Sequence, residues 1–204
     1  MGQKLSYLAL GDSYTIGEAV VQSESFPYQL VEVLRKIGLD TDEPVIIAKT
    51  GWTTSELQSA IASASLDQTF DLVTLLIGVN NQYRKESLDL YREEFRTLLS
   101  TALQFADHDK SRVFVIAIPD WGVTPFGIQS GRGVELIAKE IDAFNAINKA
   151  ETLLLGISYT DISVDSRLAF SDSDLIAVDG LHPSGKMYQG WAKKVSDSVS
   201  SALK

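Results

Sequence analysis

Two short apolar runs constrain this chain more than anything else in it. Residues 72–77 are apolar except for Thr74, and residues 113–118 are apolar throughout. Each is short enough for a strand and contains β-branched residues. Neither alternates apolar with polar side chains, as a strand with one wet face does. Such runs describe strands covered on both faces, the situation of parallel sheets with helices above and below. The rest of the sequence supplies those helices. Residues 26–37, 54–64, 87–105, 134–150 and 184–203 carry apolar residues at helical spacing, and shorter β-rich runs at 5–10, 44–48 and 157–161 lie between them. The alternation predicts a three-layer α/β/α domain around a parallel sheet.

Several boundaries carry their own signals. Gly38 ends the first long helix, and Thr53 or Thr54 provides an N-cap for the second. On residues 87–105 an apolar stripe of Leu90, Phe95, Leu98, Leu99 and Ala102 is assigned to the core face. Charges at helical spacing between Arg84 and Arg96 read as a solvated face. Residues 120–132, with three glycines, and 163–178 resist assignment. Both follow strands, so they are long loops at the carboxyl edge of the sheet, where open α/β folds bind ligands. At 204 residues, without an internal repeat, low-complexity tract or linker, the chain reads as one domain over 1–204.

Composition narrows the chemistry. The chain has no cysteine, which excludes disulfides, thiolate metal sites and a cysteine nucleophile. A net charge of −9 argues against nucleic acid and anionic membranes as partners. The first residues, Met1 to Ser6, hold too short an apolar run for a secretory signal, and no stretch has membrane-spanning length. Cytoplasmic residence is the resulting expectation. Gly2 followed by Ser6 fits a myristoylation pattern only loosely, and the match reads as chance.

Four segments converge on the carboxyl edge of the predicted sheet. The first strand delivers Gly11-Asp12-Ser13, the second Thr50-Gly51-Trp52, and the third Gly78-Val79-Asn80-Asn81. Asp179-Gly180-Leu181-His182-Pro183 precedes the last helix. A serine hydroxyl becomes a nucleophile when an imidazole takes its proton, and a carboxylate on the far ring nitrogen fixes the tautomer. Of the two histidines, His108 lies in the polar stretch 107–110 and reads as a loop residue, which leaves His182 with Asp179 three positions ahead. The N–H groups of Ser13 and Gly51 and the side-chain amide of Asn80 are candidate oxyanion donors. Asp12 reads as a brace for its turn. Trp52, Tyr83, Trp121 and Phe126 lie in or near strand-end loops and are candidates to line a substrate pocket.

These four blocks, in this order, resemble those of the SGNH hydrolases, also called GDSL-type esterases and lipases. The resemblance runs from residue 11 to residue 183. It implies a flavodoxin-like fold with five parallel strands, and neither a metal nor an organic cofactor. It implies Ser13 as nucleophile, His182 as base beside Asp179, and Gly51 and Asn80 with Ser13 in the oxyanion hole. The expected activity is cleavage of carboxylic esters, short-chain or acetyl, through an acyl-enzyme on Ser13. Two positions depart from the pattern: Tyr14 stands for the leucine of Gly-Asp-Ser-Leu, and Asn81 for the aspartate of Gly-x-Asn-Asp.

Acyl transfer to an alcohol, or thioester cleavage, uses the same residues, and a catalytically silent binding module is the alternative from another class. Neither Gly-x-Gly-x-x-Gly nor a phosphate-binding Gly-x-x-x-x-Gly-Lys-Ser/Thr is present, which disfavours a nucleotide or flavin. The absence of a Gly-x-Ser-x-Gly elbow disfavours the separate α/β-hydrolase fold. The expected partner is a small ester, with the chain a monomer or weak dimer.

Overall fold

The apolar runs at 72–77 and 113–118 form the middle of a five-stranded sheet. The computed structural model describes residues 4–203. Its strands are β1 (Tyr7–Gly11), β2 (Val45–Ala48), β3 (Leu72–Leu76), β4 (Val113–Ile116) and β5 (Ser158–Thr160), in the spatial order β2-β1-β3-β4-β5. Every pairing is parallel, with Ala9 opposite Ile46 and Thr74, and Thr74 opposite Phe114. All residues of β1, β3 and β4 are buried, whereas β2 and β5 lie at the edges and are partly exposed. The myristoylation pattern begins at Gly2, outside the described residues.

Nine helices surround the sheet among the described residues: α1 (Ser13–Ile16), α2 (Phe26–Lys36), α3 (Thr54–Ala64), α4 (Val79–Tyr83), α5 (Leu88–Phe105), α6 (Pro125–Gln129), α7 (Val134–Leu154), α8 (Ser163–Arg167) and α9 (Gly185–Ala202). Helices α2 and α9 pack on each other, while α5 packs on both α3 and α7. The layers close around Tyr7, Tyr91, Phe95, Phe114, Tyr188 and Trp191, all fully buried. Burying one large apolar side chain contributes about 1.5–3 kcal/mol. Among the described residues no helix is long and apolar enough to cross a membrane.

Three details differ from the sequence expectation. On α5, Leu90 is exposed and Tyr91 is buried, because the stripe runs 91, 95, 98, 99, 102. The hydroxyl of Tyr91 lies 2.6 Å from Asn148 Oδ1 and 3.1 Å from Ile77 O, so its single proton has an acceptor in the interior. Helix α7 runs four residues past 150. Its Glu151, 4% exposed, is held by Arg92 and Arg96 of α5, each at 2.7 Å. The charged stretch between Arg84 and Arg96 therefore ties α5 to α7 rather than only facing water. The segments left unassigned contain α6, α8 and three turns of 3-10 helix at Trp121–Val123, Leu168–Phe170 and Ser173–Leu175.

In this strand order the chain leaves β1 for β2 on one side and returns to place β3 on the other. A crevice opens where the connections diverge, at the carboxyl ends of β1 and β3. Ser13 follows β1 and Asn80 follows β3, so both border that crevice.

Candidate active site

The turn after β1 is built by Asp12. It is the N-cap of α1, its Oδ1 accepting the Tyr14 N–H at 3.0 Å, and this lifts Ser13 into the first helical position. The site leaves Asp12 fully buried with Oδ2 unpartnered, and burial pushes its carboxyl up to about 7 against the opposing pull of the Tyr14 N–H. The Ser13 N–H, in the first helical turn, has no partner among the described residues.

The loop carrying His182 is folded by its own short bonds. Ile176 and Pro183 form an antiparallel bridge, Ala177 N–H donates to His182 O at 2.8 Å, and Gly180 N–H donates to Ala177 O at 3.0 Å. Asp179 Oδ1 accepts the N–H groups of Leu181 and His182, both at 3.0 Å. Its Oδ2 lies 2.5 Å from His182 Nδ1. An ionised carboxylate only accepts, so Nδ1 carries the proton and Nε2 is left as the acceptor. Nε2 lies 3.0 Å from Ser13 Oγ, and Ser13 and His182 are both buried. Burial alone raises the Asp179 carboxyl, but the His182 ring and the two N–H donors outweigh it and hold the group below the usual carboxylate range.

The other two blocks meet beside this set. Gly51 adopts φ +86°, a left-handed conformation that glycine takes without strain, and its N–H has no partner among the described residues. Asn80 sits on α4, not in a loop, and Nδ2 donates one hydrogen to Trp52 O at 2.9 Å. Its second amide hydrogen is free of that bond. Next to it Asn81, fully buried, accepts from Thr54 N–H at 3.2 Å and donates to Thr54 Oγ1 and to Glu86, each at 2.7 Å. An aspartate there could accept the first bond but not make the other two. Thr53 is the N-cap of α3, paired with Glu56 in a capping box. At the end of α4, Arg84 donates to Gly51 O at 2.6 Å and pairs with Glu56 at 3.2 Å.

A cavity of about 250 Å³ opens over the serine, lined by Ser13, Tyr14, Val79, Asn80, Tyr83, Trp121, Phe126, Leu181 and His182. Tyr83, Trp121 and Phe126 form one aromatic wall, with ring centroids 5.4, 5.9 and 6.5 Å apart. The wall is anchored from behind: Trp121 Nε1 donates to Gln82 Oε1 at 2.8 Å, and the Arg132 guanidinium lies over the rings of both Tyr83 and Trp121. The Phe126 N–H donates to Gly180 O at 3.0 Å, which ties the wall to the histidine loop.

Gly51 is not part of the cavity lining; it adjoins the site through the next residue, whose carbonyl accepts from Asn80. Of the residues singled out from the sequence, Ser13, Asn80, Tyr83, Trp121, Phe126 and His182 line the cavity, with Asp179 on the far nitrogen of the His182 ring. Trp52 does not: its ring borders a separate surface groove with Ser55, Glu56 and Ser59, and only its carbonyl faces Asn80. His108 lies exposed in the turn after α5, as its polar neighbours indicate. The sequence reading missed Tyr14, whose ring packs 5.4 Å from the His182 ring, and the apolar lining residues Val79 and Leu181. All three are immediate neighbours of site residues, and that adjacency was the available signal. No group of three or more histidine, aspartate and glutamate residues is placed to hold a metal among the described residues.

A family model described as GDSL-like lipase/acylhydrolase matches residues 9–189. Three solved structures share the fold across nearly the full length of both chains. The psychrotrophic esterase EstA from Pseudoalteromonas sp., inhibited by monoethylphosphonate, is 16% identical over 98% of this chain and 99% of its own, with a TM-score of 0.73. The SGNH-hydrolase family esterase AlinE4 is 22% identical over 100% and 99%, with a TM-score of 0.66. The acetylxylan esterase Axe2 from Geobacillus stearothermophilus is 16% identical over 97% and 95%, with a TM-score of 0.72. At these identities the likeness carries the fold. No curated protein matches the sequence.

Proposed function

The chain belongs to the GDSL-like lipase/acylhydrolase family, and from that premise we propose that it is a serine esterase acting on small carboxylic esters through an acyl-enzyme on Ser13. The observation that carries this reading is the position of His182, with Nδ1 on Asp179 and Nε2 within 3.0 Å of Ser13 Oγ. His182 takes the hydroxyl proton as Oγ attacks the ester carbonyl. Negative charge develops on the carbonyl oxygen, and the N–H groups of Ser13 and Gly51 with the free amide hydrogen of Asn80 receive it. Each such donor contributes about 2.7–4 kcal/mol in the transition state. His182 then protonates the leaving alcohol. In the second half the same imidazole activates water, which releases the acid and restores Ser13.

The cavity limits the substrate. At about 250 Å³ it is smaller than the pockets that take drug-sized ligands, about 300–1,000 Å³. Away from Ser13, Asn80 and His182 its lining is aromatic and aliphatic, without a formal charge. A short acyl chain or acetyl group on a neutral alcohol suits that wall, and a charged acyl or alcohol group meets no counter-charge in it. The direct test is a series of nitrophenyl esters from acetate to decanoate, run beside acetylated sugars. Turnover that falls beyond about four carbons supports the short-ester reading. A steady rise toward decanoate contradicts it.

A further inference from the structure

Gly51 stands in a loop that the main chain does little to hold. Across Lys49 to Thr53 the backbone makes one internal hydrogen bond, Trp52 N–H to Lys49 O at 3.2 Å. Gly51 itself lies at φ +86°, and a Cβ added there would meet nothing closer than Arg84 at 4.0 Å, so packing does not fix its peptide. Glycine has the widest conformational freedom of any residue, and an oxyanion donor is useful only when its direction is fixed before the reaction. Something outside the main chain must supply that restraint.

Side chains on and just after α4 do so. Asn80 holds Trp52 O at 2.9 Å, and Arg84 holds Gly51 O at 2.6 Å. Arg84 is the C-cap of α4 and sits four residues, about one turn, after Asn80, so both side chains rise from the same side of the helix. Its other nitrogen meets Glu56, whose carboxylate also accepts the Thr53 N–H at 2.8 Å. The fork of one guanidinium thus spans Gly51 and the start of α3, a geometry that a lysine's single ammonium cannot reproduce.

We infer that Arg84 is a positioning residue for the oxyanion hole, clamping Gly51 so that its N–H points at the same place as the Asn80 amide. This rests on the esterase reading above and assigns to that site a residue outside the four motif blocks. Arg84 touches no reacting atom. It acts through the Gly51 peptide, in the transition state and not in ground-state binding, so its loss lowers kcat and leaves KM in place.

The test uses p-nitrophenyl acetate turnover and the rate at which a fluorophosphonate labels Ser13, in wild type, Arg84→Gln and Arg84→Lys, with thermal midpoints for each. Losing one donor outright costs about 10²–10³ in kcat, and a donor left free to turn keeps part of its effect. Arg84→Gln is therefore expected to lower kcat about 10- to 100-fold with KM within about twofold, and to slow labelling in parallel. Arg84→Lys falls between the two. Because both residues serve one oxyanion, Asn80→Ala costs less in the Arg84→Gln background than in wild type. A kcat for Arg84→Gln within twofold of wild type, a loss confined to KM, or strict additivity with Asn80→Ala overturns the inference alone. Wild-type protein with neither turnover nor labelling overturns the esterase reading, and this inference with it.

Discussion

Asp179 grips His182 twice. One carboxylate oxygen accepts the His182 backbone N–H at 3.0 Å and the other meets ring Nδ1 at 2.5 Å. The spacing of three residues makes this possible, because the turn through Gly180, at φ +72°, brings the histidine back over the carboxylate. Main chain and ring are fixed by one side chain, so the face of Nε2 that meets Ser13 is set before any substrate arrives.

Replacing Asp179 with asparagine keeps the shape but offers an amide N–H to Nδ1, which moves the ring proton to Nε2, the wrong nitrogen for taking one from Ser13. In a serine protease the corresponding change lowers kcat by about 10⁴, and Asp179→Asn is expected to cost about 10³–10⁴ here with little change in KM. Steady-state kinetics on a short nitrophenyl ester check it. A loss below tenfold removes Asp179 from the mechanism.

Asp12 makes stability depend on pH. Its folded carboxyl holds a proton to about 7, while the unfolded chain releases it near 3.8. Between those values the folded state binds the extra proton, so the contribution of protonated Asp12 is fully present below the lower value and is lost as pH rises through the upper one. Asp12→Asn keeps the acceptor for the Tyr14 N–H and cannot ionise. The variant should therefore gain on wild type from pH 4 to pH 7.5 in urea unfolding. Parallel stability curves contradict the account.

Phe126 forms the outer part of the aromatic wall and is 41% exposed, so its removal should leave the fold in place. Phe126→Ala widens the cavity. Its kcat/KM on butyrate and hexanoate esters is expected to rise relative to acetate by several-fold, as one or two extra methylenes find room. An unchanged chain-length profile places the acyl group elsewhere.

Gly78 holds the turn into α4 at φ +131°, and a Cβ there would lie 2.2 Å from the Tyr91 hydroxyl. Gly78→Ala combines backbone strain with overpacking and should destabilise by about 2 kcal/mol or more, read as a lower thermal midpoint. A midpoint within 1 °C of wild type, on a scale where about 1 kcal/mol moves Tm by about 2–4 °C, contradicts this.

The parallel sheet was legible because residues 72–77 and 113–118 lack alternation, a pattern that only two-sided burial explains. The cluster of Ser13, Asp179 and His182 was legible because the proposed triad demands particular residue types. Leu90 was misplaced because it stands eight residues before Leu98 just as Tyr91 stands eight before Leu99, and packing on α7 selects Tyr91. Trp52 was misplaced because a strand end gives a residue's place in the chain but not the direction of its side chain, which here follows α3. Residues 120–132 stayed opaque because a buried carboxylate organises them: Asp120, paired with the half-buried Arg167 at 2.8 Å, caps the turn that presents Trp121. That partner lies 47 residues away, beyond any local signal.

The central claim is that Ser13, activated by His182, forms the acyl-enzyme. Mass spectrometry after exposure to a fluorophosphonate, run with p-nitrophenyl acetate kinetics on wild type, Ser13→Ala and His182→Ala, tests it most directly. The expected result is one adduct on Ser13 in wild type, none in Ser13→Ala, strongly slowed labelling in His182→Ala, and a fall in kcat of at least about 10⁴ in both variants without loss of folding. An adduct on another residue, or a Ser13→Ala protein that keeps more than a few per cent of wild-type turnover, contradicts it.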